Sequence, residues 1–160
     1  RNLSVVTAAS SAITNTVTET AFSTTFSIPA NRLRVGSVLS LRARASVSSG
    51  NSTDTLTLRA RLTNAAGAVL GAGLAFDVTN GGGDVGDINL QMVVRTLGAA
   101  GTMMSAGTIG LLTAVQATGS AGAVTIDTTA AITLVITAQW SVASASNSVT
   151  MDGGSLQIVG

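Results

Sequence analysis

The sequence predicts an all-β fold: an antiparallel β-sandwich, jelly-roll or immunoglobulin-like, of eight to ten strands. Three observations point there. Apolar and polar residues alternate with a period of two in one segment after another, as in strands with a single buried face. Short clusters of Gly, Asn, Ser and Asp separate the segments, with no helical period between them. The length, 160 residues, suits one core and leaves no room for two.

The elements follow in chain order. Arg1 to Thr16 carry one weak alternation, at Leu3 and Val5, and are expected as an N-terminal arm to a single domain over 17–160. Phe22, Thr24, Phe26 and Ile28 then share a face, and Pro29 ends that ladder. Leu39, Leu41, Ala43, Ala45 and Val47 point inward while Ser40, Arg42, Arg44 and Ser46 point outward. Leu56, Leu58, Ala60 and Leu62 repeat the scheme, with Thr57, Arg59, Arg61 and Thr63 outside. Further inward series are Leu74, Phe76 and Val78; Ile88, Leu90, Met92 and Val94; and Ile132, Leu134, Ile136, Ala138 and Trp140. A last strand is expected near Leu156 to Val159. Turns are marked by Ser48–Ser52, Asn64–Gly67, Asn80–Gly83, Gly119–Gly122 and Asp152–Gly154.

Composition narrows the chemistry. Hydrophobic residues make up 46% of the chain but aromatics only 2%, so the core must be built from aliphatics. Charged residues are 9%, against about 25% in an ordinary soluble domain. There is no His, Cys, Tyr or Lys. Ser-His-Asp, Cys-His and Ser-Lys arrangements, Schiff-base lysines, and His- or Cys-based zinc and haem sites are therefore impossible within the chain. Only carboxylate chemistry remains, from Glu19, Asp54, Asp77, Asp84, Asp87, Asp127 and Asp152, with Phe22, Phe26, Phe76 and Trp140 as the aromatic side chains. From this the chain is expected not to be an enzyme and to hold no cofactor. Zero Cys leaves stability to burial or assembly. The opening residues do not read as a secretory signal. The longest uncharged run, Thr96 to Ile126, is broken by glycines and hydroxyls and reads as two or three strands rather than a membrane span.

Val38 to Thr63 reads as an antiparallel hairpin, because two alternating segments flank a Ser/Gly/Asn/Asp loop. Placing both leucine sets on one side sets Arg44 opposite Arg59 and Arg42 opposite Arg61. Four of the eight cations would then form one patch, with Arg32 and Arg34 nearby. Opposed like charges cost roughly 0.2–1 kcal/mol per pair, so something must compensate: water, an acid such as Glu19 or Asp127, a neighbouring subunit or an anion. Arg42, Arg44, Arg59 and Arg61 are accordingly the candidate protein-contact residues. Nucleic acid is the weaker alternative, with a net charge of +1 and minimal stacking surface.

Three other features have a bland reading beside a functional one. Asp77 to Asp87 sets three carboxylates around a Gly-rich turn, but without EF-hand spacing, and is read as a polar loop rather than a calcium site. Trp140 ends an inward series and is expected in the core with its indole N–H bonded, not stacked on a sugar. Met103 and Met104 are expected as gap-filling or subunit-contact side chains.

Thr16 to Val47, with its Glu19-Thr20 start and Ile28-Pro29-Ala30-Asn31 before a Gly36 turn, resembles the β-sandwich virion proteins of tailed bacteriophages. So does the C-terminal part, with Thr137-Ala138-Gln139-Trp140 and a short final strand. These features cover somewhat over half the chain. The resemblance implies a particle component of the head-decoration, head-fibre or tail-fibre type. Such a component is commonly a homotrimer or another symmetric assembly, placed on the outer surface of the virion with the major capsid protein or other virion proteins as partners and no membrane. An auxiliary capsid (decoration or cement) protein is the first expectation. A tail-fibre, head-fibre or baseplate module for host attachment is the alternative. The resemblance supplies no active-site residues.

Overall fold

Residues 1–159 are described in a computed structural model. They form thirteen strands: β1 (Asn2–Val6), β2 (Ile13–Thr14), β3 (Thr20–Ile28), β4 (Val38–Ser48), β5 (Thr55–Leu62), β6 (Val69–Ala72), β7 (Phe76–Asp77), β8 (Asp84–Thr96), β9 (Gly101–Leu111), β10 (Ala114–Gly119), β11 (Val124–Ile126), β12 (Ile132–Trp140) and β13 (Ser148–Ile158). Nine of them have five residues or more, which is the strand number the alternation implies. The eight-stranded sheet runs β1-β13-β4-β8-β9-β10, with β2 on β13 and β11 on β9; the five-stranded sheet runs β3-β12-β5-β6, with β7 on β5. All these pairings are antiparallel, and the two sheets make a β-sandwich. No helix among the described residues is long and apolar enough to cross a membrane.

The core lies between the sheets. Leu39, Leu41 and Val47 of β4, Ile88, Leu90 and Met92 of β8 and Val149, Met151 and Leu156 of β13 enclose one cluster with Leu56 and Leu58 of β5, Leu134, Ile136 and Trp140 of β12 and Phe22, Phe26 and Ile28 of β3. Each such side chain contributes about 1.5–3 kcal/mol on full burial, so the aliphatics compensate for the scarcity of rings. Trp140 is buried and its Nε1 donates to Ile13 O at 3.3 Å. Met103 is buried, while the Met104 sulfur accepts from Arg95 on the outer face.

The expected hairpin does not form. β4 pairs with β13 and β8, whereas β5 pairs with β12, β6 and β7, so the chain crosses from one sheet to the other after Ser48. A buried polar network holds that crossing. Ser49 Oγ donates to Asn147 Oδ1 at 2.7 Å, and Asn147 Nδ2 donates to Asp54 Oδ2 at 2.9 Å. All three residues are buried. In a crossing, the two leucine sets face each other through the core; in a hairpin, they lie side by side. Both give the same inside-outside alternation, so periodicity alone does not separate them.

Two smaller differences follow from local structure. Only Phe76 and Asp77 of the Leu74–Val78 segment form a strand, and Leu74 points to solvent. The last strand begins at Ser148, well before Leu156, because a bulge at Asp152 lets it continue past the Asp-Gly-Gly segment that reads as a turn. The first sixteen residues are fastened to this chain's own sheets, mostly to β13. β1 and β2 pair with it, Ile13 enters the core, and Ser10 exchanges backbone and hydroxyl bonds with Met151.

Candidate functional site

The crossing separates the four arginines into two pairs on opposite outer faces. Arg59 and Arg61 of β5 project from the five-stranded sheet, where Glu19, just before β3, lies between them. Arg61 donates through Nε to Glu19 Oε1 at 2.5 Å and through a terminal nitrogen to Oε2 at 2.9 Å; Arg59 reaches Oε2 at 3.1 Å. Further bonds complete the cluster: Arg59 to Gln139 Oε1 at 3.0 Å, Arg61 to Gly67 O at 2.7 Å, and the Thr137 hydroxyl to Glu19. All three charged side chains are at most 21% exposed. Burial pushes the Glu19 pKa up, but hydrogen bonds from Arg61 and Thr137 and the two guanidinium charges outweigh it, holding the carboxyl below its ordinary value. Glu19 is thus the compensating acid for this pair.

Arg42 and Arg44 project from the eight-stranded sheet into a different setting. Their cross-strand neighbours are Asn89 and Asp87 on one side and Ser155 and Gly153 on the other. Asp152, the bulged residue, accepts from Ser46 Oγ at 2.8 Å and lies 3.9 Å from Arg44 Nε, an exposed and loose pair. Arg42 has no carboxylate within ion-pair distance among the described residues. Two shallow cavities meet at Arg44. One, about 410 Å³, is lined by Ser46, Asp84, Ser148 and Thr150; the other, about 300 Å³, by Arg42, Asp87, Gly154 and Ser155. Gly154 is sterically required: a Cβ there would come within 2.5 Å of Arg42 O and 2.8 Å of the Phe26 ring. Away from the arginines the face carries mostly uncharged side chains, among them Ser40, Gln91, Thr108, Ala106 and Ala117, with Asp87 beside Arg44 and Arg95 at the far end of β8.

Arg32 and Arg34 join neither pair; with Arg1, Asn31 and Ser37 they line a separate cavity of about 510 Å³. The Asp77–Asp87 carboxylates are dispersed. Asp84 accepts from the Thr79 amide and hydroxyl and closes a turn through Gly81, Gly82 and Gly83, all at positive φ; Asp87 lies opposite Arg44, and Asp77 is exposed on β7. Among the described residues no three acidic side chains come together as a metal site. Asp127 is occupied by the hydroxyl and amide of Thr129, which lower its pKa. Sequence reasoning missed Thr137, Gln139, Asp152 and the Ser49–Asp54–Asn147 network. The one available signal was the like-charge opposition that a hairpin would have imposed.

The chain matches no protein-family model and no curated protein. Among solved structures it is similar to an engineered GH43 glycoside hydrolase with endo-xylanase and exo-arabinofuranosidase activity, at 15% identity and a TM-score of 0.39 over 84% of this chain and 31% of that one. It is also similar to the CBM2 module of the evolved Dit of Lactobacillus casei BL23 phage J-1, at 14% identity and a TM-score of 0.33 over 82% of this chain and 67% of that one. The chain therefore spans about a third of the glycoside hydrolase it matches. The expectation that the chain is not an enzyme is corrected here. It rested on missing side-chain types alone, and the hydrolase match does not let the architecture set this chain apart from enzymes. At that level of likeness no activity passes to this chain.

Proposed function

We propose that the chain is a structural module of a bacteriophage particle, an auxiliary capsid protein that decorates the outer surface of the head. In this reading the outer face of the eight-stranded sheet docks against the major capsid protein, and copies of the chain associate with one another. The carrying observation is the contrast at the arginines: Arg59 and Arg61 are neutralised within the chain, while Arg42 has no carboxylate within ion-pair distance among the described residues. An ion pair to a partner's acid would satisfy it. The phage setting is supported by the resemblance of Thr16–Val47 and the closing strands to virion β-sandwiches. A fibre or baseplate attachment module is the second reading, favoured by the hydroxyl-lined cavity of about 410 Å³ at Arg44, which suits a small polar ligand.

Co-sedimentation with assembled shells of the cognate major capsid protein tests the proposal. The wild type should bind, and Arg42→Glu should bind at least about tenfold more weakly, the loss of one buried charged contact. Absence of binding by the wild type, or equal binding by Arg42→Glu, removes the reading.

A further inference from the structure

Three of the four sheet edges are guarded. β1 is bulged between Asn2 and Ser4. β3 has the segment before β2 beside it, where the Ser11 amide donates to Ser23 Oγ at 3.1 Å. β6 and β7 are four and two residues long, and the Thr118 hydroxyl bonds both the amide and the carbonyl of Ala72 at 2.8 Å. β10 is different. Its own Thr118 side chain makes that contact with β6, but its backbone ends the eight-stranded sheet and pairs with β9 alone, in unbroken register from Ala114↔Leu111 to Gly119↔Ala106. Its sequence, AVQATG, has no charge, proline or bulge, and the surrounding stretch from Thr96 to Ile126 is uncharged throughout. Those are the devices that ordinarily blunt an exposed edge, and without them the unpaired side of a strand is a template for another strand. Beside it Leu74, Leu112 and Val115 are 63%, 59% and 44% exposed, and Leu74–Asp77 with Ala114–Gln116 line a cavity of about 410 Å³.

We infer that β10 is a self-association strand: two copies pair β10 to β10, antiparallel about a two-fold axis at Gln116, joining their eight-stranded sheets into one. The unused backbone ladder calls for a strand rather than a helix or a small ligand. Charge then selects a second copy, since two-fold pairing places a strand against itself and a charged strand would meet its own sign. With the axis at Gln116, Val115 falls opposite Ala117 of the partner subunit, and inward and outward faces stay in phase. Gln116 meets Gln116 of the partner subunit, an amide that supplies donor and acceptor alike. Burial of the neighbouring Leu112 and Val115 adds apolar area that a six-residue ladder lacks. This rests on the self-association in the proposed function and names its surface.

Light scattering after size exclusion, from micromolar to millimolar protein, tests it. The wild type should form a dimer, and Ala117→Lys, at an exposed outward position, should weaken it by about tenfold or more, while circular dichroism, and melting at concentrations too dilute for the dimer, stay unchanged. The chain has no cysteine, so oxidation of Gln116→Cys should trap a disulfide dimer and oxidation of Val5→Cys on β1 should not. A wild-type monomer throughout, an Ala117→Lys protein that still dimerises, equal cross-linking at Val5→Cys, or open ladders beyond the dimer each overturn the two-fold strand pair. Shell binding separates the two claims. A monomer that co-sediments with shells sinks the strand pair and the self-association but leaves the docking face, and a dimer that does not co-sediment sinks only the docking face.

Discussion

Leu41-Arg42-Ala43-Arg44-Ala45 and Leu58-Arg59-Ala60-Arg61-Leu62 are almost the same local sequence, and both put two guanidinium groups on an outer sheet face. Their surroundings differ in what the rest of the chain brings to them. On the five-stranded sheet, Glu19, Gln139 and the Gly67 carbonyl accept from Arg59 and Arg61, and the Thr137 hydroxyl donates to Glu19. On the eight-stranded sheet the nearest acid, Asp152, holds Arg44 loosely, and Arg42 is left without one among the described residues. One pair is a structural clamp, and the other lies on a face where the chain supplies little to answer it. Local sequence sets which way an arginine points; residues forty to eighty positions away decide what it does there.

The sharpest way to break this comparison is charge reversal at matched positions. Arg61→Glu sets a new carboxylate against Glu19 in a site with little water and should cost about 3 kcal/mol or more in urea unfolding. Arg42→Glu, on the open face, should change stability by no more than about 0.5 kcal/mol. Equal costs at the two positions would mean that the faces are not distinct.

Next in size is Glu19→Gln. It keeps the shape and removes the charge, leaving two largely buried guanidinium groups under-compensated, and should cost about 1–2 kcal/mol at neutral pH. The pH dependence has a definite sign. The Glu19 pKa is lowered in the folded state, so its contribution is fully present above the unfolded value of 4.5 and is lost as pH falls through the folded value. Wild type and Glu19→Gln should therefore converge in stability as the pH drops below that range. Asp127 titrates in the same direction in both proteins and cancels in the difference. A gap that persists at low pH would show that the Glu19 contribution is packing rather than charge.

The alternation shows which residues face inward, and it gives the class of fold and nearly all the long strands. What it cannot show is which sheet each strand joins. Val38–Ser48 and Thr55–Leu62 keep the same pattern whether they pair or cross, and the residues that settle the matter, Ser49, Asp54 and Asn147, include partners ninety-three positions apart. The same limit governs the site. All four arginines are legible as outward-facing, and Glu19 as a possible partner. Only the strand order, β3-β12-β5, puts Glu19 over Arg59 and Arg61 and leaves Arg42 and Arg44 on the far face. Asp152 is hidden for a related reason. Asp-Gly-Gly reads as a turn, but in the sheet it is a bulge, and the bulge aims the carboxylate at Ser46 and Arg44.

The smallest expected effect is the most discriminating. Asp152 and Arg44 are 3.9 Å apart, with side chains 36% and 65% exposed, so their pair contributes no more than about 1 kcal/mol and is screened by salt. Asp152→Asn retains an acceptor for Ser46 and should shift stability by about 0.5 kcal/mol or less. It also removes the one carboxylate within 4 Å of either arginine on that face among the described residues. If acids of a partner answer Arg42 and Arg44, Asp152→Asn should bind assembled shells more tightly than the wild type, and added salt should weaken the tighter binding more steeply. Unchanged stability with stronger, salt-sensitive binding identifies a face held open for contact. A stability loss as large as that of Glu19→Gln would make Asp152 a clamp of the same kind, and the two arginine pairs would then differ only in exposure.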